Sequence, residues 1–482
     1  MALLSESQRS SASSGTSIGM IFIVSSTAEK ASPATRKLIR SHVMQGNKQK
    51  KALSDGSKRW AERRAMSGRI RTNPVTLEEG IRTYAPLFPG RVGSDLSFVE
   101  FADAIEPSML SNWIKFSTFA GSVVFPLMAA IGLWNDNSES LYSMATDAAF
   151  LHFTAFAVEG FIQRILRGQE DSINTAASLH FQKGLRLLRK RLLEEDDEKK
   201  LSDSTISAVL KLASTSHFDG DCEEARQHMA GLRRMVDLRG GLDIFKGTKL
   251  VMEMLRSDLR IALLDDSNPV FFRQSSEPVG EYPKQLLPAA GDDMSNQDNF
   301  ELIRTVDKDL ATAWWVMRKF CLLVNLGTQT QRPMYPKIIY ETMVTVMYRL
   351  LHVSFAAGSV DEAIRLGLLA FCHHVFLQWQ DVKLPRYRFL TTYRNCIVRL
   401  KLVIGVSSKL MLWLLMTGAN SLFEMSEEPW LRDKLRECVT KCEVKAWKGM
   451  EEILRSFMWI ELLDERPSKQ IYASLHLGNG ES

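Results

Sequence analysis

The sequence predicts an all-α protein, a large multi-helix body in two halves preceded by a disordered basic N-terminal arm. Three observations carry that prediction. From Thr76 to about Leu463 apolar residues recur at spacings of three and four, and alternating patterns are nearly absent. Between roughly Ser267 and Asn299 the composition turns to Pro, Ser, Gly, Asp and Gln, which divides the helical pattern in two. Ahead of the body, twelve Lys and Arg gather between Arg36 and Arg71 against only Asp55 and Glu62. With 482 residues, 45% of them hydrophobic and 24% charged, the chain can fill a sizeable core, and its composition excludes collagen-like, coiled-coil and wholly disordered classes.

In chain order, residues 1–19 are a low-complexity Ser/Gly leader expected to be disordered. Met20–Val24 fits one short strand and is too short for a signal-peptide core, so secretion is not expected. Residues 20–72 form the basic arm, and Asn73-Pro74 breaks the chain before the first helical half, 73–266. In that half, Phe116 to Asn135 is free of charge for the length of a membrane span. Ser117, Thr118, Ser122, Pro126 and two glycines interrupt it, which favours a buried core helix. Glu223 to Arg239 places Ala225, Met229, Leu232 and Val236 on one helical face, with Asp221 as N-cap, Glu224 three residues on, and Gly240-Gly241 as the stop. An exposed connection, 267–299, leads to the second half, 300–475. There, Asp361 to Gln380 repeats Ile364, Leu368, Phe371, Val375 and Trp379, a helix buried on most sides, and Leu410 to Phe423 reads as another core helix.

The charge is uneven. The segment 36–71 carries a surplus of ten positive charges, and since the whole chain is only +5, the remainder is −5. Arg36, Lys37, Arg40, Lys48, Lys50, Lys51, Lys58, Arg59, Arg63 and Arg64 are the candidate contacts for a nuclear-import receptor or a phosphate backbone, since clustered cations on a flexible segment each displace a counterion. A solvated tail with no partner is the competing reading. Only Trp60 interleaves with these charges, too few aromatics for a base-stacking platform.

Catalytic and metal constellations are not expected. The six cysteines, about one per hundred residues, indicate a reducing compartment rather than a disulfide scaffold. Gly15-Thr16-Ser17-Ile18-Gly19 has nucleophile-elbow spacing but lacks the preceding strand. Cys372-His373-His374 are consecutive, so on a helix they point about 100° apart and cannot all face one metal. Cys438 and Cys442 share a helical face without a second pair to complete a zinc site. No phosphate-binding or dinucleotide-binding glycine loop is present. The reading is a non-enzyme with no metal and no cofactor.

Glu224-Ala225-Arg226-Gln227-His228-Met229-Ala230-Gly231-Leu232, running into Met235-Val236-Asp237-Leu238-Arg239-Gly240-Gly241-Leu242, resembles the central segment of the fungal-specific transcription factor domain. Further resemblance follows in order at Glu362–Phe371 with Phe376–Trp379, at Trp413–Met416 and at Ser456–Ile460, while Arg40-Ser41-His42-Val43-Met44 resembles the opening of a fungal group carrying this domain. The likeness spans roughly residues 20–475. It implies a helical regulatory domain, with Arg239, Gly240 and Gly241 as its motif residues. In that family the domain usually follows a binuclear zinc cluster, which needs six cysteines close in sequence. The first cysteine here is Cys222, so the base-reading module is not expected.

Two functions follow as expectations. One is a nuclear, transcription-regulator-like protein whose body binds a protein partner or small ligand, with the arm serving import or weak, nonspecific DNA contact. The other is a cytosolic interaction scaffold that kept the regulatory fold. Neither involves a membrane.

Overall fold

The computed structural model describes residues 100–119, 127–128, 138–162, 175–273, 277–288, 303, 305–332, 334–378, 388–400 and 406–476. All belong to one compact unit, Thr72–Ser482. Among the described residues every regular element is helical, as the sequence predicts. The leader, the arm with its ten candidate basic residues, Met20–Val24 and most of 116–135 lie outside them. No described helix is long and apolar enough to cross a membrane.

The first half comprises α1 (Pro107–Phe119), α2 (Ser138–Thr146), α3 (Ala148–Phe161), α4 (Thr175–Leu193), a single turn at Asp197–Lys200, α5 (Asp203–Phe218) and α6 (Cys222–Leu238). α3 is its centre, packed against α1, α2, α4 and α5, while α5 and α6 form a tight helical hairpin. Local chemistry starts these helices. Asp147 accepts from Phe150 N at 2.9 Å, Ser202 from Thr205 N at 3.3 Å, and Asp221 from Glu224 N at 2.9 Å, each satisfying an amide that the first turn leaves open. On α6 the buried residues are Ala225, Met229, Leu232 and Val236, the four that helical spacing selects.

α7 (Lys249–Leu264) joins the halves. Thirteen consecutive or near-consecutive residues of this helix are buried, because it packs on α5 and α6 on one side and on second-half elements on the other. The second half comprises α8 (Lys308–Thr330), α9 (Pro336–His352), α10 (Val360–Cys372), α11 (Arg388–Leu400), α12 (Ser408–Ser421), α13 (Pro429–Lys441), α14 (Trp447–Phe457) and α15 (Glu461–His476), of which α9 and α11 meet α7. α10 and α12 form the centre of this half. At their crossing a Cβ on Gly367 would lie 2.4 Å from Leu414 Cδ2, so only glycine permits the approach. Trp413 beside it meets Trp314 at 5.3 Å and stacks on Phe457 at 5.7 Å between ring centroids. α12 carries the predicted core run Leu410–Phe423 and is buried from Leu412 onward.

Two expectations change. The helix read from Asp361 to Gln380 ends at Cys372 and continues as a π-helical turn, His373–Leu377, which rotates the register and buries Val375, Phe376 and Leu377 together; Trp379 is outside the described residues. The connection is not exposed throughout. Pro269, Phe271, Pro283 and Leu286 are buried, because charged side chains of the body strap its backbone down. Asp258 on α7 accepts the amides of Val270 and Phe271 at 2.9 and 3.1 Å and the hydroxyl of Tyr348 on α9 at 2.8 Å. Burial nonetheless raises the pKa of this carboxyl to about 6. Arg349 donates to Gly280 O at 2.7 Å with its guanidinium 4.3 Å from the Tyr282 ring. Lys319 donates to Leu287 O at 3.0 Å, and Arg233 reaches Glu277 at 2.8 Å. A composition that reads as solvated loop is held by side chains on distant helices, which sequence does not display.

Candidate functional site

The motif residues Arg239, Gly240 and Gly241 close α6. The amide of Gly240 donates to Asp237 O at 3.0 Å and that of Gly241 to Val236 O at 2.9 Å, with φ of +112° and +93°. Both angles lie in the left-handed region that glycine alone enters at little cost. A Cβ on Gly240 would also stand 2.6 Å from Ile244 Cδ1. Arg239 then reaches back to α5, donating to Leu201 O at 3.1 Å and pairing with the Asp203 carboxylate. Its guanidinium lies 4.6 Å from the ring of Phe245, buried in the 3-10 turn Leu242–Phe245. The motif thus fixes how α6 turns toward α7 and ties that corner to the start of α5. Every contact named here is internal to the fold.

A polar cleft lies in the second half, between the π turn, α12, α14 and α15, lined by His374, Asn420, Trp459, Asp464 and Ser468 among apolar neighbours such as Phe371 and Trp413. His374 stands 3.0 Å from Gln378 Oε1 and 3.1 Å from Asp464 Oδ1. Asp464 also accepts the amide of Ile460 at 2.7 Å. Asn420 donates to Ser468 at 2.8 Å; among the described residues its Oδ1 has no hydrogen-bond partner, and neither has Trp459 Nε1–H. Asn420 and Trp459 both line a space with room for about one water molecule. Chemically the cleft can hold one small neutral hydrogen-bonding molecule.

The neighbouring pair His373 and Ser421 has the residue types of a base and nucleophile but not their wiring. Ser421 donates to Ala370 O at 2.8 Å and so accepts from His373 Nδ1–H at 3.0 Å, which directs the hydroxyl proton away from the imidazole. Burial, with Arg260 nearby, pushes the His373 pKa down to about 3, leaving a poor base. Burial also raises the Cys372 thiol far above its ordinary range. Cys438 is buried and Cys442 half-buried, both with thiols pushed up by burial. Among the described residues no three metal-ligating side chains converge.

A third cluster joins the segment ahead of α1 to α3 and α4. His152 Nδ1 lies 2.8 Å from His180 Nδ1, and His152 Nε2 is 3.2 Å from Asp103, which also pairs with Lys183 at 2.9 Å. Hydrogen bonding from Lys183 lowers Asp103 to about 2, while burial lowers both histidines. Two imidazoles at this distance share one proton and cannot both be charged at low cost. Sequence reasoning missed this cluster, the Asp258–Tyr348 link and the His374–Asp464 pair. Each joins residues tens of positions apart; the only local signal was a histidine or acid set in an apolar run, as with His152 in Ala148–Phe161.

No curated protein and no solved structure matches the chain. The family model of the fungal specific transcription factor domain matches residues 122–264. The match ends where α7 ends and includes Arg239, Gly240 and Gly241; the resemblances at 40–44, 362–379, 413–416 and 456–460 lie beyond it. The chain therefore carries, over residues 122–264, a segment of the fungal specific transcription factor domain family.

Proposed function

We propose that the chain is a nuclear, transcription-regulator-like protein whose helical body binds a protein partner or small ligand, with the basic arm serving import or sequence-independent DNA contact. The observation that carries this reading is the family match over residues 122–264. Charge supports it: the segment 36–71 concentrates cations on a chain whose remainder is acidic. The reading is non-enzymatic and needs no cofactor. The runner-up is a cytosolic interaction scaffold that kept the regulatory fold.

The test is localisation of the tagged full chain beside one lacking residues 36–71. Nuclear signal that the deletion abolishes is expected; cytosolic signal from the intact chain overturns the reading in favour of the scaffold. For the DNA contact, fluorescence anisotropy on two unrelated duplexes should show no preference, and affinity should fall roughly 100- to 1,000-fold between about 50 and 200 mM salt if about 4 to 6 phosphates are neutralised. Joint removal of Lys48, Lys50, Lys51, Arg63 and Arg64 should abolish it.

A further inference from the structure

α4 packs one side on α3 and leaves the other open. Its inner side is well tied: Gly184 lies against Phe153, and Arg191 pairs with Asp147 at 2.7 Å. The outer side shows Leu193 76% exposed, Leu179 61%, Leu192 42% and Leu185 37%, four of the eleven large apolar side chains exposed on the described surface. Their spacing is regular. Leu179, Arg186 and Leu193 follow one another at seven residues, and Leu185 and Leu192 form a second row at the same interval, with Gln182 and Arg189 between the rows. Seven residues are two helical turns, about 10.5 Å, so each row runs straight along the helix. Arg186, Arg189 and Lys190 are exposed and make no ion pair among the described residues, although Glu194 and Glu195 follow directly in the chain.

We propose that this outer face of α4 docks an acidic amphipathic helix of a partner protein, its leucine-type residues on the two leucine rows and its carboxylates on Arg186, Arg189 and Lys190. The proposal rests on the regulator reading above and names the kind of partner. Charge decides between occupants. A second copy packed about a twofold axis on this face would bring Arg186 and Arg189 against their own equivalents, which like-charge repulsion opposes. The chain's own arm carries the same sign. A lipid surface takes a helix with a continuous apolar face and cations at its margins; here Arg186 sits in the middle of the apolar row. A nucleic-acid backbone would engage the cations but give the four leucines nothing. An acidic helix satisfies both sets at once, since facing leucines bury apolar area while opposed charges fix register.

The measurement is anisotropy of a fluorescein-labelled 21-residue helical peptide with leucine rows flanking central glutamates, titrated with the full-length chain. A scrambled peptide of the same composition and a version with lysine in place of glutamate serve as controls. Binding of the first peptide alone is expected, weakening with salt. Combining Arg186→Glu with Arg189→Glu should weaken it about tenfold or more, and the lysine peptide should regain binding to that variant. This rescue separates lost docking from a misfolded chain. Equal binding of the scrambled peptide, or unchanged binding by the double variant, overturns the proposal. So does a face that ignores the peptide yet binds phosphatidylserine vesicles or a 20-base-pair duplex in a manner the double variant loses. Localisation of the same chain separates this failure from that of the regulator reading: a nuclear chain that ignores the peptide sinks the docking face alone, and a cytosolic chain that binds it sinks the regulator reading alone.

Discussion

Substituting alanine for glycine at two helical positions should move stability in opposite directions. At Gly231, in the exposed middle of α6, a Cβ meets nothing within 4 Å. Only the helical preference for alanine then acts, and the variant should gain up to about 1 kcal/mol. At Gly367 the same preference is opposed by packing. The new Cβ would lie 2.4 Å from Leu414 Cδ2 and 3.0 and 3.3 Å from ring atoms of Trp413. Ordinary carbon contact is about 3.5–4.0 Å, so Leu414 would have to withdraw by more than an ångström. It has nowhere to go, since Leu414 and Trp413 are both buried and the indole stacks on Phe457. Overpacking of this kind costs about 1–3 kcal/mol, and after the propensity gain a net loss of about 1–2 kcal/mol remains. Urea unfolding of the two variants beside the parent, followed by far-UV circular dichroism, reads both signs at once. A Gly367→Ala midpoint at or above the parent's would show that α10 and α12 do not cross as closely as described.

Acidification should destabilise the chain. His217 and His373 are buried and held neutral, with folded pKa values of about 3 against 6.5 for the free group. The stability they contribute is present above 6.5 and lost as pH falls toward 3; between pH 7 and 5 that is about 2 kcal/mol for each. Asp258 acts in reverse, because its pKa is raised to about 6, and returns about 1 kcal/mol over the same interval. Thermal melts at pH 7 and 5 should therefore show a net loss of about 3 kcal/mol, and an unchanged melt would refute the assignment of neutral buried imidazoles. Tyr348→Phe removes one of three donors to Asp258 and should cost about 1–3 kcal/mol by urea unfolding, more at pH 8 than at pH 5, where the carboxyl is protonated. Gly240→Ala combines a φ of +112° with a 2.6 Å contact to Ile244 and should cost about 1–3 kcal/mol, while Gly241→Ala, with open space around it, should cost less.

What the sequence discloses is what each helix can decide alone. The N-cap Asp221, the four core positions of α6 and the glycine stop are all set within twenty residues, and they stand where spacing puts them. The π turn after Cys372 is a different matter, since its register shift is imposed by the elements packed on it, and no residue within 361–380 announces it. The connection misleads for a related reason. Its prolines and polar residues suit a solvated loop, and the groups that hold it, Asp258, Lys319 and Arg349, lie on distant helices. The candidate site divides along the same line. Arg239-Gly240-Gly241 was legible as a turn because glycine conformation is local, whereas the partner Asp203 and the pairing of His374 with Asp464 arise from tertiary placement.

The family match stops at Leu264, the last residue of a helix that packs on both halves of the molecule. The matched stretch and the folding unit therefore end at different places. Expressed as residues 122–264, it would leave the part of α7 that packs on second-half elements open to water, with Asp258 stripped of Tyr348 and of the Val270 and Phe271 amides. Such a fragment should come out of the cell insoluble or paired with itself. The useful truncation is one that keeps the second half, so that α7 retains the elements on both of its sides.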